Sequence, residues 1–172
     1  MANLKGRVLA IDPGSEFSAY VVIDTKTYEP LTIGKVHNTD LLEFIDEYIN
    51  AINSSKYQID TVIEMVASYG MAVGQTVFDT CVWVGRFVEA NDWEVDLMYR
   101  KDVKKAFNKD LPKGEKVTND SSIINYLANR FAPNEPNRGK GKKDSPSWFY
   151  GFKADIWQAY AVGVAYIDGI KE

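Results

Sequence analysis

The feature that most constrains this chain lies near its amino terminus, where the sequence reads RVLAIDPGSEFSAYVVID. The short apolar run from Val8 to Ile11 is typical of a buried strand, and it ends in the carboxylate of Asp12. Pro13 and Gly14 stop the strand directly afterwards, and a second apolar run follows. Because burying an unpaired carboxylate is costly, Asp12 is either a loop residue at a strand edge or a catalytic or metal-binding acid.

The rest of the chain alternates between short strand-like runs and helical patterns. We predict strands at 17–23, 31–36, 61–63 and 94–99, helices at 40–51, 74–90, 101–108, 121–131 and 152–170, and a loop at 133–146. The first three strands are joined by tight turns and form an antiparallel meander, and a right-handed crossover then places the fourth strand beside the first. The sequence therefore predicts an α/β fold with a mixed five-stranded sheet of order 3-2-1-4-5, flanked by helices in a single domain spanning 1–172.

A second carboxylate follows the fourth predicted strand. Thr61 to Ile63 is short and apolar, and Glu64 comes directly after it. The first and fourth strands are parallel neighbours in the predicted sheet, so their carboxyl ends meet at one edge. Open α/β sheets place their functional sites at such an edge, where the strand order reverses. We expect Asp12 and Glu64 to lie side by side there.

The composition disfavours several classes of protein. Cys81 is the only cysteine of the 172 residues and His37 the only histidine. An intramolecular disulfide is therefore excluded, and a histidine-built metal site or Ser-His-Asp chemistry is disfavoured. The amino terminus is interrupted by polar residues and no apolar run is long enough for a membrane span. These features predict a cytoplasmic protein without a membrane partner.

The net charge of −4 conceals an uneven distribution. Residues 98–153 contain 13 Lys/Arg and 6 Asp/Glu, whereas the remaining residues contain 7 and 18. Such asymmetry predicts a basic face suited to nucleic acid beside an acidic one. The alternative is that the lysines near residue 105 are only the solvated side of a helix.

Three segments together resemble a known family. "LAIDPG", "TVIEMVASYGM" and "YGFKADIWQAYAVGVAY" are similar, in this order, to the motifs of the RuvC-like Holliday junction resolvases of the RNase H-like superfamily, in particular the phage-borne members. The resemblance implies an RNase H-like fold and three catalytic, metal-binding acids at Asp12, Glu64 and Asp155. Taken alone, Asp155 could also be an acid favoured by the dipole at a helix amino terminus.

The resemblance also implies an activity and its partners. It implies a structure-selective endodeoxyribonuclease of DNA recombination and repair, which nicks Holliday junctions, flaps or forks with two Mg²⁺ ions per site, or with Mn²⁺ in their place. Magnesium prefers oxygen ligands, so a few carboxylates suffice to hold it. If the chain is phage-encoded, it would act in the cytoplasm of the bacterial host.

The metal-binding set departs from the family at one position. Where the family usually has a further acid on the closing helix, this chain has Gln158, which lies three residues after Asp155 and shares its helix face. The resemblance therefore implies that Gln158 is a weak, neutral metal ligand; the alternative is that it bonds to the backbone or packs. Asp120 is either the N-cap of the helix at 121–131 or a supplementary ligand.

Candidate DNA-binding residues fall into three groups. The first follows the fifth strand, the second lies in the Gly-rich loop at 133–146, and the third is an aromatic residue after Glu64 that could stack on an unpaired base. These residues are Lys101, Lys104 and Lys105; Arg138, Lys140, Lys142 and Lys143; and Tyr69. A solubilising role for the loop and core packing for Tyr69 are the alternatives.

The predicted helix at 74–90 is apolar on more than one face. A surface helix needs only one apolar stripe to pack on its own sheet, so the surplus predicts a homodimer interface, with Trp83 or Phe87 in its seam. A two-fold dimer suits a four-way junction, which presents two equivalent strands.

Three other functions compete with a resolvase. A sugar-kinase or actin-like ATPase has a similar first hairpin but needs two such domains. A ribonuclease acting on RNA–DNA hybrids would belong to the same superfamily. A non-catalytic or weakly catalytic branched-DNA binding protein would account for Gln158.

Overall fold

The structure is a computed structural model, and it describes residues 5–53, 58–68, 70–92 and 94–171. Within these ranges the strands are β1 (Arg7–Asp12), β2 (Phe17–Asp24), β3 (Pro30–His37), β4 (Ile59–Met65), β5 (Val95–Tyr99), β6 (Gly141–Lys142) and β7 (Ser145–Pro146). The helices are α1 (Asn38–Asn53), α2 (Gln75–Ala90), α3 (Arg100–Lys109), α4 (Asp120–Phe131), α5 (Pro136–Gly139) and α6 (Ala154–Lys171).

The central element is β1, in a five-stranded sheet of order β3-β2-β1-β4-β5. β1 and β2 pair antiparallel, as do β2 and β3, whereas β1 with β4 and β4 with β5 are parallel. Val8 to Ile11 are fully buried because helices cover both faces of the sheet. The predicted fold class, strand order and strand directions are confirmed.

One face of the sheet is covered by α6. At Gly163 a Cβ atom would lie 2.4 Å from Ile23 Cδ1 and 2.9 Å from Ala10 Cβ, so only glycine lets the helix approach β1 and β2 this closely. The residues of α6 from Ile156 to Ile167 are buried or nearly so. No helix in the described part of the chain, α6 included, is long and apolar enough to cross a membrane.

The other face of the sheet is covered by α1 and α2. Leu41 and Ile45 of α1, with Val84 and Phe87 of α2, form a second core with β1. Phe87 is fully buried there, so the prediction that it lies in a dimer seam is wrong. The apolar residues that α2 exposes are Phe78 and Val82, at 56% and 63%.

The segment predicted as a loop at 133–146 is more regular than expected. It contains the short helix α5 and the two-stranded hairpin of β6 and β7. Gly139 has a φ of 73°, and a Cβ atom there would lie 2.4 Å from Ala132 Cβ. The segment is therefore anchored to the end of α4 through a contact that requires glycine.

Candidate active site

The pairing register places Asp12 in a row of side chains that crosses the sheet. Asp12 is the partner of Ala19 on β2, and Ala19 is the partner of Lys35 on β3. Ala10, two residues before Asp12, packs in the core beneath α6, so the side chains of this row point to the α6 face. Lys35 thus lies two strands, or about 10 Å, from Asp12 with only a small residue between them.

Glu64 extends the row on the other side of Asp12. Ile63 is the parallel partner of Ile11, which puts Glu64 level with Asp12. Val62 packs in the core beneath α6, so Glu64, two residues later, faces α6 as well. β4 continues to Met65, and the acid therefore lies inside the strand rather than directly after it.

Arg100 joins Glu64 to a third acid. Arg100 is the first residue of α3, and its guanidinium lies 3.3 Å from the Glu64 carboxylate and 2.7 Å from the Asp120 carboxylate. The Glu64 side chain is 13% exposed and that of Asp120 is 64% exposed. Asp120 therefore lies at the open rim of the site and Glu64 at its floor.

The predicted alternative that Asp120 is the N-cap of α4 is wrong. The N-cap is Asn119, whose side chain accepts a hydrogen bond from the Ser122 backbone N–H at 2.9 Å. The Ser122 hydroxyl in turn accepts from the Asn119 backbone N–H, which completes a capping box. Asp120 is thus released from capping, and its carboxylate pairs with Arg100.

The fourth acid, Asp155, reaches the site from α6. It lies in the first turn of the helix and forms an ion pair with Lys35. Gln158, one turn later, is 6% exposed, and its Oε1 atom has no hydrogen-bond partner among the described residues. A buried acceptor without a partner costs about 1–3 kcal/mol, so this oxygen marks a place where an electropositive group would be stabilised.

The electrostatics of the site are dominated by burial and by acid–acid repulsion. Burial, followed by the nearby Glu64 carboxylate, raises the pKa of Asp12 to about 8, and Asp155 and Asp120 add to the rise while Arg100 opposes it. Burial also raises the pKa of Glu64, against the opposing charges of Arg100 and Lys104. A positive charge placed among these acids would favour their ionised forms.

A buried polar network fixes the turn that follows Asp12. The Ser18 hydroxyl donates to Asn38 Oδ1 at 2.6 Å, and Asn38 Nδ2 donates to the Gly14 carbonyl oxygen at 2.9 Å. The Gly14 backbone N–H donates back to the Ser18 hydroxyl at 3.1 Å. Asn38 is fully buried, so the turn is held rigidly beside the acids.

The ligand atoms available at the site are of the type that a divalent cation binds. The acids and Gln158 offer only oxygen atoms, which Mg²⁺ prefers, and the orphaned Gln158 Oε1 lacks any other partner in the described structure. Among the described residues, however, no three His, Cys, Asp or Glu side chains converge closely enough to hold a metal ion. The acids are instead paired with basic residues, Glu64 and Asp120 with Arg100 and Asp155 with Lys35.

Two solved structures share this architecture. A structure of RuvC from Thermus thermophilus aligns with a TM-score of 0.64 at 12% identity, covering 96% of this chain and 95% of that chain. The chain has a RuvC-like fold. Thermus thermophilus RuvC in complex with a Holliday junction substrate aligns with a TM-score of 0.58 at 14% identity, covering 96% and 94%. No family model and no curated protein matches the sequence.

In this RuvC-like fold the predicted DNA-binding residues lie at several places. Lys104 on α3 lies close enough to lower the pKa of Glu64, and the ammonium group of Lys101 lies 5.4 Å from the centre of the Tyr99 ring. Lys105 is exposed on the same helix. Tyr69 lies outside the described residues.

The four basic residues of the segment at 133–146 separate into two positions. Arg138 lines a groove beside α4 together with Asn125 and Asn129. The other three, Lys140, Lys142 and Lys143, lie in or next to the β6–β7 hairpin and are named the hairpin lysines below. No contact within the described structure joins these four residues to the acids.

Sequence reasoning missed Arg100 and Lys35. The signal for Arg100 is its position directly after the β5 strand, at the same sheet edge as Glu64. The signal for Lys35 is weaker, because only the pairing register of β3 places it level with Asp12. Both are basic residues on the α6 side of the sheet, among the acids.

Proposed function

We propose that this protein is a metal-dependent, structure-selective endodeoxyribonuclease that nicks Holliday junctions or other branched DNA. The observation that carries the proposal is the partly buried pair of Asp12 and Glu64 at the centre of the sheet, with the pKa of Asp12 raised to about 8. An acid held in this way is unfavourable in isolation and typical of a functional site. The RuvC-like fold, which covers 96% of the chain, supports the same class of enzyme.

The roles of the acids follow from their positions. Asp12, Glu64 and Asp155 would hold two Mg²⁺ or Mn²⁺ ions. Gln158 would add a neutral oxygen, and Asp120 would lie at the exposed rim. The bound ions would supply positive charge to the phosphoryl oxygens and lower the pKa of an attacking water.

The basic residues around the acids bind the substrate in this proposal. Lys35 and Arg100 lie next to the carboxylates and supply positive charge to an approaching phosphate group. Lys104 adds a further positive charge near Glu64. Nucleic acid is favoured as the substrate because 13 Lys/Arg are concentrated within residues 98–153.

A homodimer would complete the enzyme. The exposed stripe of α2 carries Phe78 and Val82, and a surface helix exposes such a stripe at a cost unless a partner covers it. An isologous contact through this stripe would present two active sites related by a two-fold axis. Two such sites match the two equivalent strands of a four-way junction.

The test is incubation of the pure protein with a labelled four-way junction and Mg²⁺, with products mapped on all four strands. We expect nicks at symmetric positions near the branch point for the wild type and none for Asp12→Asn, with junction binding retained by both. Cleavage of an RNA–DNA hybrid but not of the junction would instead indicate a ribonuclease. Tight junction binding without any metal-dependent product would indicate a binding protein.

A further inference from the structure

Two cavities lie along the β3 edge of the sheet, and the inner one is lined by Lys35, which is paired with Asp155. The outer cavity has a volume of about 450 Å³ and lies between the first half of β3 and the segment 146–152. The inner cavity has a volume of about 500 Å³ and is lined by Phe17, Lys35 and Lys153. Ile33 lines both cavities, so the two adjoin along β3, and together they are named the β3 groove here.

The walls of the β3 groove carry exposed aromatic rings. Tyr150 is 46% exposed in the outer part and Phe17 is 47% exposed in the inner part. Both rings therefore present apolar surface to whatever occupies the groove. Aromatic side chains of this kind bind nucleobases by stacking, whatever the base sequence.

Two lysines lie where the β3 groove approaches the acids, and one of them, Lys35, is paired with Asp155. Lys35 and Lys153 line the inner part, and Lys35 stands in the row of Asp12. At the outer part, Pro146 lines the wall and is the last residue of the hairpin that carries the hairpin lysines. Among the described residues that line the groove, Glu29 is the only acid. A polyanion such as a DNA strand is therefore favoured over a neutral or basic ligand.

The dimensions favour one strand over two. From Glu29 to Lys35 the groove follows β3 for about 20 Å, which is the length of about six stacked nucleotides of one strand. Each cavity has the volume of a small-molecule pocket, enough for flat bases but not for a double helix.

We propose that the β3 groove binds an unpaired DNA strand of about six nucleotides, with bases stacked on Tyr150 and Phe17 and phosphates on Lys153 and Lys35. The strand would run from the scissile phosphate at the acids toward the hairpin lysines. This inference rests on the proposed nuclease function for its biological role, but the binding itself requires no cleavage. The groove would thus select branched DNA whose strands are open next to the branch point.

The test measures binding of a fluorescent 12-nucleotide thymidine strand by anisotropy in EDTA, so that cleavage plays no part. We expect Tyr150→Ala to weaken binding by about five-fold or more, since loss of one stacked base costs that much. Tyr150→Trp, which keeps a flat ring, should bind like the wild type. Leu97→Ala is the matched control, because Leu97 is 48% exposed on β5 at the opposite edge of the sheet.

Lys153→Gln provides a second variant, which should weaken binding and lower its salt dependence by about one phosphate contact. Equal binding by Tyr150→Ala, Lys153→Gln and the wild type would overturn the proposal. Failure of the wild type to bind the strand would also overturn it. The same holds if the wild type binds a duplex of the same length equally well and with the same dependence on Tyr150. Cleavage of a fully paired four-way junction, measured in parallel with Mg²⁺, tests the nuclease function separately.

Discussion

The carboxylate of Asp12 should lower the free energy of unfolding of the metal-free protein. It lies beside Glu64 beneath α6, and its pKa is raised from 3.8 to about 8. A group with a raised acid pKa holds its proton more tightly in the folded state than in the unfolded state. Stability therefore falls as the pH rises from about 4 to about 8, and the full penalty is present above pH 8. We predict that Asp12→Asn abolishes cleavage and yet increases the free energy of unfolding.

The predicted gain in the free energy of unfolding follows from how far the pH lies above the pKa of the unfolded carboxylate, up to the pKa of the folded one. At pH 7 the unfolded carboxylate is ionised and the folded one is still largely protonated, a difference of about three pKa units or about 4 kcal/mol. At pH 5 the same reasoning gives about 1.5 kcal/mol, because this pH lies only about one unit above the pKa of the unfolded carboxylate. The advantage of Asp12→Asn should therefore grow by about 1.4 kcal/mol for each pH unit between 5 and 7.

Urea unfolding at pH 5, 6 and 7 in EDTA measures this dependence. With a typical urea dependence of about 2 kcal/mol per molar, the midpoint of Asp12→Asn should lie about 2 M above that of the wild type at pH 7. Added Mg²⁺ should shrink the difference, because an ion bound to the ionised site stabilises only the wild type. The matched control is Asp120→Asn, whose side chain is 64% exposed and paired with Arg100, and which should give no such gain.

A gain that is the same at pH 5 and pH 7 would refute the reasoning, since it would come from packing rather than from the buried charge. Lower stability of Asp12→Asn at every pH would refute it as well. It would show that the carboxylate is stabilised by the protein in the absence of metal. Full cleavage by the purified Asp12→Asn protein would remove Asp12 from the proposed metal site.

Three further predictions concern the metal, the DNA and the dimer. Gln158→Asp should lower the Mg²⁺ concentration for half-maximal cleavage, because an anionic oxygen holds the ion more tightly than an amide. If Asp120 already supplies that charge, Asp120→Asn should instead abolish most cleavage in the same Mg²⁺ titration. Changing the three hairpin lysines to Gln should reduce the slope of log affinity against log salt for junction binding by about 3, and an unchanged slope would place the hairpin away from DNA. Val82→Asp should shift sedimentation from dimer to monomer while Glu89→Gln, on the same helix, should not, and dimers that survive Val82→Asp would move the interface elsewhere.

The fold could be predicted from the sequence because its signals are local and mutually consistent. The apolar run of β1 is buried on both faces and reads as an uninterrupted strand. The meander needs only short turns, and the right-handed crossover leaves one place for β4. Given that order, Asp12 and Glu64 had to meet at one edge, and the pairing of Ile11 with Ile63 shows that they do.

The surroundings of the acids could not be predicted in the same way. Lys35 lies in the row of Asp12 only because of the register of β2 with β3, which shifts at Val22 and Ile23. A one-residue change of register would turn Lys35 to the opposite face of the sheet. The position of Asp120 likewise depends on which of two adjacent polar residues caps α4. Asn119 provides the side-chain oxygen for that cap, and a sequence pattern has an uncertainty of at least one residue at a helix end.

Gln158 shows what the sequence and the structure each contribute to the description of the site. From the sequence it is an amide where an acid is usual, and from the structure it is a buried amide whose Oε1 lacks a partner among the described residues. A carboxylate at this depth would join Glu64, Asp155 and Asp120 in raising the pKa of Asp12, and the metal-free fold would become less stable. The amide keeps an oxygen available for a cation without adding to that repulsion. Arg100 and Lys35 act in the same direction by pairing with the other acids. In the proposed nuclease, the site would thus tolerate its own charge before metal binds, at the cost of weaker metal binding.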